Sequence, residues 1–213
     1  MCKINTANYQ NCITENGISI SGDRGAEVGF IGKCLPMLAP KYGFWKVWHD
    51  NIGKISEEEN TRYYMREYFR QCLSKLDPEE VFNLIPKDAK LLCYEENDQF
   101  CHRHLFAFWI ELFLGEKTSE VYENPKRETL RKLDRPEYLK DMFEEIIKEE
   151  YDMHGFETIK EAYEYNKKYN IKEIEEKRRY KEELIEKGLY GIIMPEKTNE
   201  KNNIKTLGLK LTS

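Results

Sequence analysis

Two short motifs carry the residues best suited to chemistry. Leu91-Leu92-Cys93-Tyr94-Glu95 is an apolar run ending in a carboxylate, and beyond a polar turn follow Cys101-His102-Arg103-His104. The pattern predicts a strand, a turn and the first turn of a helix. In α/β proteins ligands collect at such junctions, where the carboxyl ends of strands meet helix starts with unpaired N–H groups. With Asn97 or Asp98 as the cap, Cys101, His102 and Arg103 fall within the first turn or so. Free N–H groups, the positive end of the helix dipole and a planar guanidinium would together form an anion site. The alternative is a network in which His102 and Arg103 pair with Glu95, Glu96 or Asp98 and only tie the loop.

Glu95 is the candidate general base, or a nucleophile at a sugar carbon, with His102 donating or shuttling a proton. Its other reading is a hydrogen-bonding or ligand-positioning role. Tyr94 and Cys101 flank it as candidate ligand contacts. Arg24 follows Ile18-Ser19-Ile20-Ser21 within Gly22-Asp23-Arg24-Gly25. If that strand neighbours the one carrying Glu95, Arg24 supplies the second arm of a phosphate clamp; otherwise it belongs to a loop salt bridge.

Cys93, Cys101 and His102 are potential zinc ligands, and Cys101 is a potential nucleophile at a helix start. Zinc sites usually show closely paired ligands such as Cys-x2-Cys. None is present, and Cys93 reads as strand packing, so no metal and no cofactor is expected. Tyr42, Phe44, Trp45 and Trp48 among Lys41 and Lys46 form either a stacking surface for a base or a satellite core. No P-loop and no G-x-G-x-x-G occurs.

These residues need elements to hold them. Ile4 to Tyr9 predicts a first strand, Ile18 to Ser21 a second, and Ala89 to Tyr94 a central one covered on both faces. Phe30 to His49 reads as a long structured loop with a short helix. Ser56 with Glu59 is a capping box opening a helix with Met65, Tyr68, Phe69, Cys72, Leu73 and Leu76 on one face. Asp77-Pro78 starts another. Leu105, Phe106, Phe108, Trp109, Leu112 and Phe113 form the buried face of the helix that begins at the site, and Gly115 stops it.

Beyond Gly115 charges dominate and no strand is expected for a long way. Pro136 opens a helix with Leu139, Met142, Phe143, Ile146 and Ile147 inward, and two charged helices follow near 158–169 and 172–187. Leu189 to Met194 is apolar again. Leu207, Leu209 and Leu211 alternate like a strand that adds to a sheet edge, or belong to a disordered tail.

The 213 residues carry a net charge of −5, with 34% charged and 40% hydrophobic residues. No global positive field recruits nucleic acid or an anionic membrane. No apolar run reaches the roughly 20 residues of a transmembrane helix, and the N-terminus lacks a secretory h-region. The six scattered cysteines fit a cytoplasmic protein with reduced thiols.

Ile18-Ser19-Ile20-Ser21 with Arg24-Gly25, Leu38-Ala39-Pro40, Leu76-Asp77-Pro78-Glu79-Glu80-Val81 and above all the Leu-Cys-x-Glu…Cys-His-Arg pair resemble the YeaO-like domain-of-unknown-function 488 family over roughly residues 3–115. The resemblance implies an α/β fold with a mostly parallel sheet and no established activity. Members place a proline soon after the first-strand arginine; here Ala26-Glu27-Val28-Gly29 intervenes before Pro36, so the loop over the site should be shaped differently.

The expectation is therefore an α/β domain over residues 1–115, with a mostly parallel sheet and flanking helices, and an α-helical extension over 116–213. Its pocket would take a phosphate-bearing small molecule, a nucleotide or nucleic-acid component. Arg24 and Arg103 would hold the anion, with Glu95 and His102 at the reacting group, in a nucleotide or nucleoside hydrolase or transferase. The alternative is a non-catalytic module that senses or sequesters a nucleotide, or that joins a partner or a second copy through the C-terminal helices.

Overall fold

The strands are β1 (Ile4–Asn8), β2 (Gly17–Ser19), β3 (Lys33–Cys34), β4 (Ala89–Cys93), β5 (Thr118–Asn124) and β6 (Thr129–Leu133). They form one sheet in the order β3-β2-β4-β1-β5-β6. This is a computed structural model, and it describes residues 4–12, 16–124 and 129–186. All neighbours are parallel except β5 and β6. β1 and β4 are buried along their whole length, as expected of central strands covered on both faces. Ile4, Ile18, Ile20, Ala89 and Leu91 join the helices in the main core. Ala7, Tyr9, Leu92 and Val121 form a second, smaller cluster with Phe30 and Tyr94.

The helices are α1 (Tyr42–Asn51), α2 (Glu57–Gln71), α3 (Pro78–Leu84), α4 (His102–Leu114), α5 (Tyr138–Glu150) and α6 (Ile159–Glu186). The start signals act as their chemistry predicts. Ser56 Oγ accepts the Glu59 N–H at 3.2 Å, and Asp77 accepts the N–H groups of Glu79 and Glu80 ahead of Pro78. α4 is buried at every position from His102 to Ile110 and packs on β1, β5, α3 and α5. α2 and α5 meet through Phe69 and Phe143, with Arg62, Arg66 and Arg70 paired to Glu145, Glu149 and Glu150 along the exposed seam.

The structure departs from the expected break after Gly115. A first compact unit runs from Met1 to Tyr163, and β5 follows α4 after only a short link to pair in parallel with β1. The strand is hidden in the sequence because Glu120 sits at a buried position, where polarity argues against burial unless a partner is supplied. β6 is exposed and basic, the usual guard on a sheet edge. The two charged helices expected near 158–169 and 172–187 are one helix, α6, since no Gly or Pro separates them. A second unit comprises Glu164–Ser213; within it Tyr165 and Tyr169 stack with ring centres 6.4 Å apart. The expectations for Leu189–Met194 and for Leu207, Leu209 and Leu211 lie outside the described residues. No helix among the described residues is long and apolar enough to cross a membrane.

Candidate functional site

The strand order creates a crevice. After β2 the chain moves outward to β3, and after β4 it moves the other way, past β1, to β5. β2 and β4 are neighbours, so the loops leaving their carboxyl ends diverge and open a gap between them, the usual ligand position of an open α/β sheet. A cavity of about 710 Å³ lies there. Arg24 comes to it from the β2 loop, and Tyr94, Glu95, Cys101 and His102 from the β4–α4 junction. Tyr42, Trp45 and Trp48 of α1 and Lys41 complete one side. Phe44 instead packs edge-on against Tyr64 in the core, and Lys46 pairs with Asp50.

The loop after β2 is shaped by two consecutive left-handed residues, Arg24 at φ 62° and Gly25 at φ 81°. Only glycine fits the second position: a Cβ there would meet Phe30 Cβ at 2.6 Å. Asp23 is fixed by the Ser21 hydroxyl, the Gly25 and Glu27 N–H groups and the Tyr94 hydroxyl. Although slight burial opposes it, the Tyr94 hydroxyl and these donors lower the Asp23 carboxyl to about 2. The Tyr94–Asp23 bond thus joins the two loops across the crevice.

On the cavity floor four groups converge. Glu95 Oε2 lies 2.8 Å from Cys101 Sγ and 3.1 Å from Cys93 Sγ, within hydrogen-bond reach of both. His102 Nδ1 lies 3.8 Å from Cys93 Sγ and 3.9 Å from Cys101 Sγ. His102 Nε2 lies 2.9 Å from the Ile20 carbonyl oxygen. A carbonyl can only accept, so Nε2 carries the proton and Nδ1 faces the two sulfurs. Tyr68 meets the imidazole edge-on and donates its hydroxyl to the Leu38 carbonyl.

These groups perturb one another. Burial, followed by the negative Cys101 sulfur, pushes Glu95 up to about 7. For Cys101 burial opposes ionisation, yet the Cys93 thiol, Arg103 and His102 outweigh it and draw the thiol well below its usual range. Burial and Cys101 raise Cys93 well above it. Burial disfavours charge on His102, but Cys101 and Glu95 prevail and raise its pKa.

Cys93 is therefore a member of the cluster as well as a core residue. The spacing Cys93-x7-Cys101-His102 does not look like a ligand set, but the strand end and the helix start fold back on each other and bring it together. Cys101, not Asn97 or Asp98, is the helix N-cap, and its side chain makes no capping bond. Its sulfur turns to Glu95 instead.

Arg103 does not reach the cavity, contrary to the anion-clamp expectation. It is fully buried and grips Glu120 of β5 through Nε at 3.2 Å and Nη2 at 3.1 Å. Glu120 also accepts from Thr6, its cross-strand partner, at 2.6 Å, and lies 3.4 Å from His104 Nε2. A residue at the second position of an almost wholly buried helix points into the core, where only a paired guanidinium is tolerated. Arg103 Nη2 additionally donates to the Glu96 carbonyl at 2.9 Å, which pins the loop from beneath.

Three residues important to this geometry were not apparent from the sequence. Asn8, at the carboxyl end of β1, donates to the carbonyls of Tyr94 and Glu95. Asp23 fixes Tyr94, and Glu120 neutralises Arg103. Asn8 carried a usable signal, since a polar residue ending a central strand points at the ligand edge of the sheet. Glu120 carried none without the fold.

Comparison with models of protein families, with curated proteins and with solved structures gives no match for this chain.

Proposed function

We propose that the cavity binds a small molecule with a planar ring and an anionic group, a nucleotide or nucleoside derivative, and presents Glu95 to it as the acid–base group. The observation that carries this reading is the composition of one cavity. Tyr42, Trp45 and Trp48 line it beside Arg24 and Lys41, and the Cys93, Glu95, Cys101 and His102 cluster faces the same space. Aromatic rings accept a base by stacking, worth about 1–3 kcal/mol per base, and an arginine suits a phosphate. Asp23 and Glu27 also line the cavity. They make it mixed in charge, suited to a ligand that offers hydroxyl or N–H donors as well as an anion. About 710 Å³ lies in the usual range of small-ligand sites.

The test is titration calorimetry with nucleosides and nucleoside monophosphates, with tryptophan fluorescence following Trp45 and Trp48. Binding that weakens in Arg24→Ala and Trp45→Ala is expected. Glu95→Gln should retain binding and lose turnover. Absence of binding to every nucleoside and nucleotide at millimolar concentration would refute the reading, whereas binding with no turnover on any substrate would favour a sequestering module.

A further inference from the structure

The floor of the cavity has the donor set and shape of a thiophilic metal site. We infer that Cys93 Sγ, Cys101 Sγ and His102 Nδ1 bind a divalent transition-metal ion, with zinc the best match, leaving a fourth position open to the cavity beside Glu95. The inference stands apart from what else the cavity binds.

Four observations support it. First, the three ligand atoms lie within 4.8 Å of one another, and all three residues are buried. Tetrahedral zinc with Zn–S of about 2.3 Å and Zn–N of about 2.05 Å sets sulfur and nitrogen about 3.6 Å apart. The observed 3.8 and 3.9 Å require a contraction of only a few tenths of an ångström. Second, the imidazole is oriented as a ligand. Its Nε2–H is held by the Ile20 carbonyl at 2.9 Å, which leaves the Nδ1 lone pair aimed between the sulfurs. Metal-binding histidines almost always anchor their other nitrogen in this way.

Third, the charges balance. Two thiolates offset a dication and a neutral imidazole adds no charge, so the metal with its three ligands carries no net charge; loading displaces the protons that the ligands hold. Soft sulfur with one imidazole selects zinc or a similar ion over magnesium or calcium, which prefer oxygen. Fourth, the site is open on one side. The three ligand residues and Glu95 all line the cavity, and three protein ligands plus a vacant position is the pattern of reactive rather than structural zinc. Once the sulfurs turn to the metal, Glu95 is released from its contacts with them and becomes free to accept a hydrogen bond from water at the fourth position. This is the arrangement of a metal-activated water with a neighbouring carboxylate base. Zinc enzymes that hydrolytically deaminate nucleobases use the same His/Cys/Cys plus glutamate set, a likeness of donor chemistry alone.

The full chain, reduced and stripped with a chelator, would be titrated with Zn²⁺ and with Co²⁺. One ion per chain is expected, with thiolate-to-cobalt charge-transfer absorption and the intense visible bands of a tetrahedral complex. Cys93→Ser and Cys101→Ser should each abolish the charge-transfer band or weaken affinity by more than the roughly 10–100-fold that outer partners contribute. Cys34→Ser should leave it unchanged. Should the serine variants fail to fold, the wild-type cobalt spectrum and protection of two thiols from alkylation by bound zinc still decide the matter. A folded, reduced wild type that shows no charge-transfer band overturns the inference, as does a band of undiminished intensity and affinity in both Cys93→Ser and Cys101→Ser.

Discussion

Replacing Glu120 by glutamine tests the core on which the site rests. The side chain keeps its size but loses the charge that balances Arg103. Both partners are fully buried, so solvent cannot take over. The guanidinium would retain a neutral acceptor in place of hydrogen bonds at 3.1–3.3 Å to a carboxylate, and Thr6 would face an amide where it donates at 2.6 Å. Breaking one partner of a buried pair costs about 3–5 kcal/mol, because an uncompensated charge stays inside. For a chain of this size about 2–4 °C is lost per kcal/mol, so the melting temperature should fall by roughly 6–20 °C. Urea denaturation with an unchanged m-value is the assay of choice. A loss below about 1 kcal/mol, in the range of exposed pairs, would refute the placement of Arg103 in the core. A companion measurement separates the two roles considered for that arginine. Arg103→Ala should destabilise severely; if it left stability intact and removed a bound ligand, the arginine would belong to the cavity after all.

Two further predictions concern the supports of the site. Asn8→Ala removes the donor to the Tyr94 and Glu95 carbonyls and should cost about 1–3 kcal/mol; amide exchange across residues 94–99 should accelerate, and unchanged exchange there would contradict the anchoring role. Glu111 accepts from Lys140, Thr118 and Arg135; burial opposes its ionisation, but these partners win and hold the carboxyl below its ordinary value. A depressed folded pKa gives stability that is present above the unfolded value of about 4.3 and lost as pH falls through the folded one. Glu111→Gln should therefore melt lower than the wild type at pH 7, with the gap closing on titration below pH 4 (approximately); a gap independent of pH would sink the argument.

What could be read from the sequence follows a physical line. Strands whose apolar runs match their burial, such as Ala89–Cys93, and helices with strong start signals at Ser56 and Asp77 were legible because local chemistry and tertiary environment agree. β5 was not, because its buried Glu120 contradicts local expectation and is satisfied by Thr6 of β1 and by Arg103 and His104 of α4. The site was legible as a place: Glu95, Cys101 and His102 do meet at a strand-to-helix junction. Its chemistry was less so. Whether Cys93 packs or ligates depends on the fold-back between β4 and α4, and whether Arg103 faces ligand or core depends on how deeply α4 is buried. Neither is encoded in spacing along one segment.

The same arginine explains why Glu95 remains available. Arg103 lies between two carboxylates. Glu120 takes its Nε and Nη2 hydrogen bonds, while Nη1 makes none among the described residues and stands 4.0 Å from Glu95 Oε2. Had the guanidinium gripped Glu95 in a two-bond fork, that carboxylate would be fixed as an anion with its acceptor sites occupied. It could then neither meet the thiols nor face the cavity. Placing Glu120 on β5, in register with Thr6, turns the guanidinium fork toward the core and leaves Glu95 near its positive charge without a hydrogen bond to it. A strand that the sequence conceals thus sets the chemistry of the residue that the sequence makes most conspicuous.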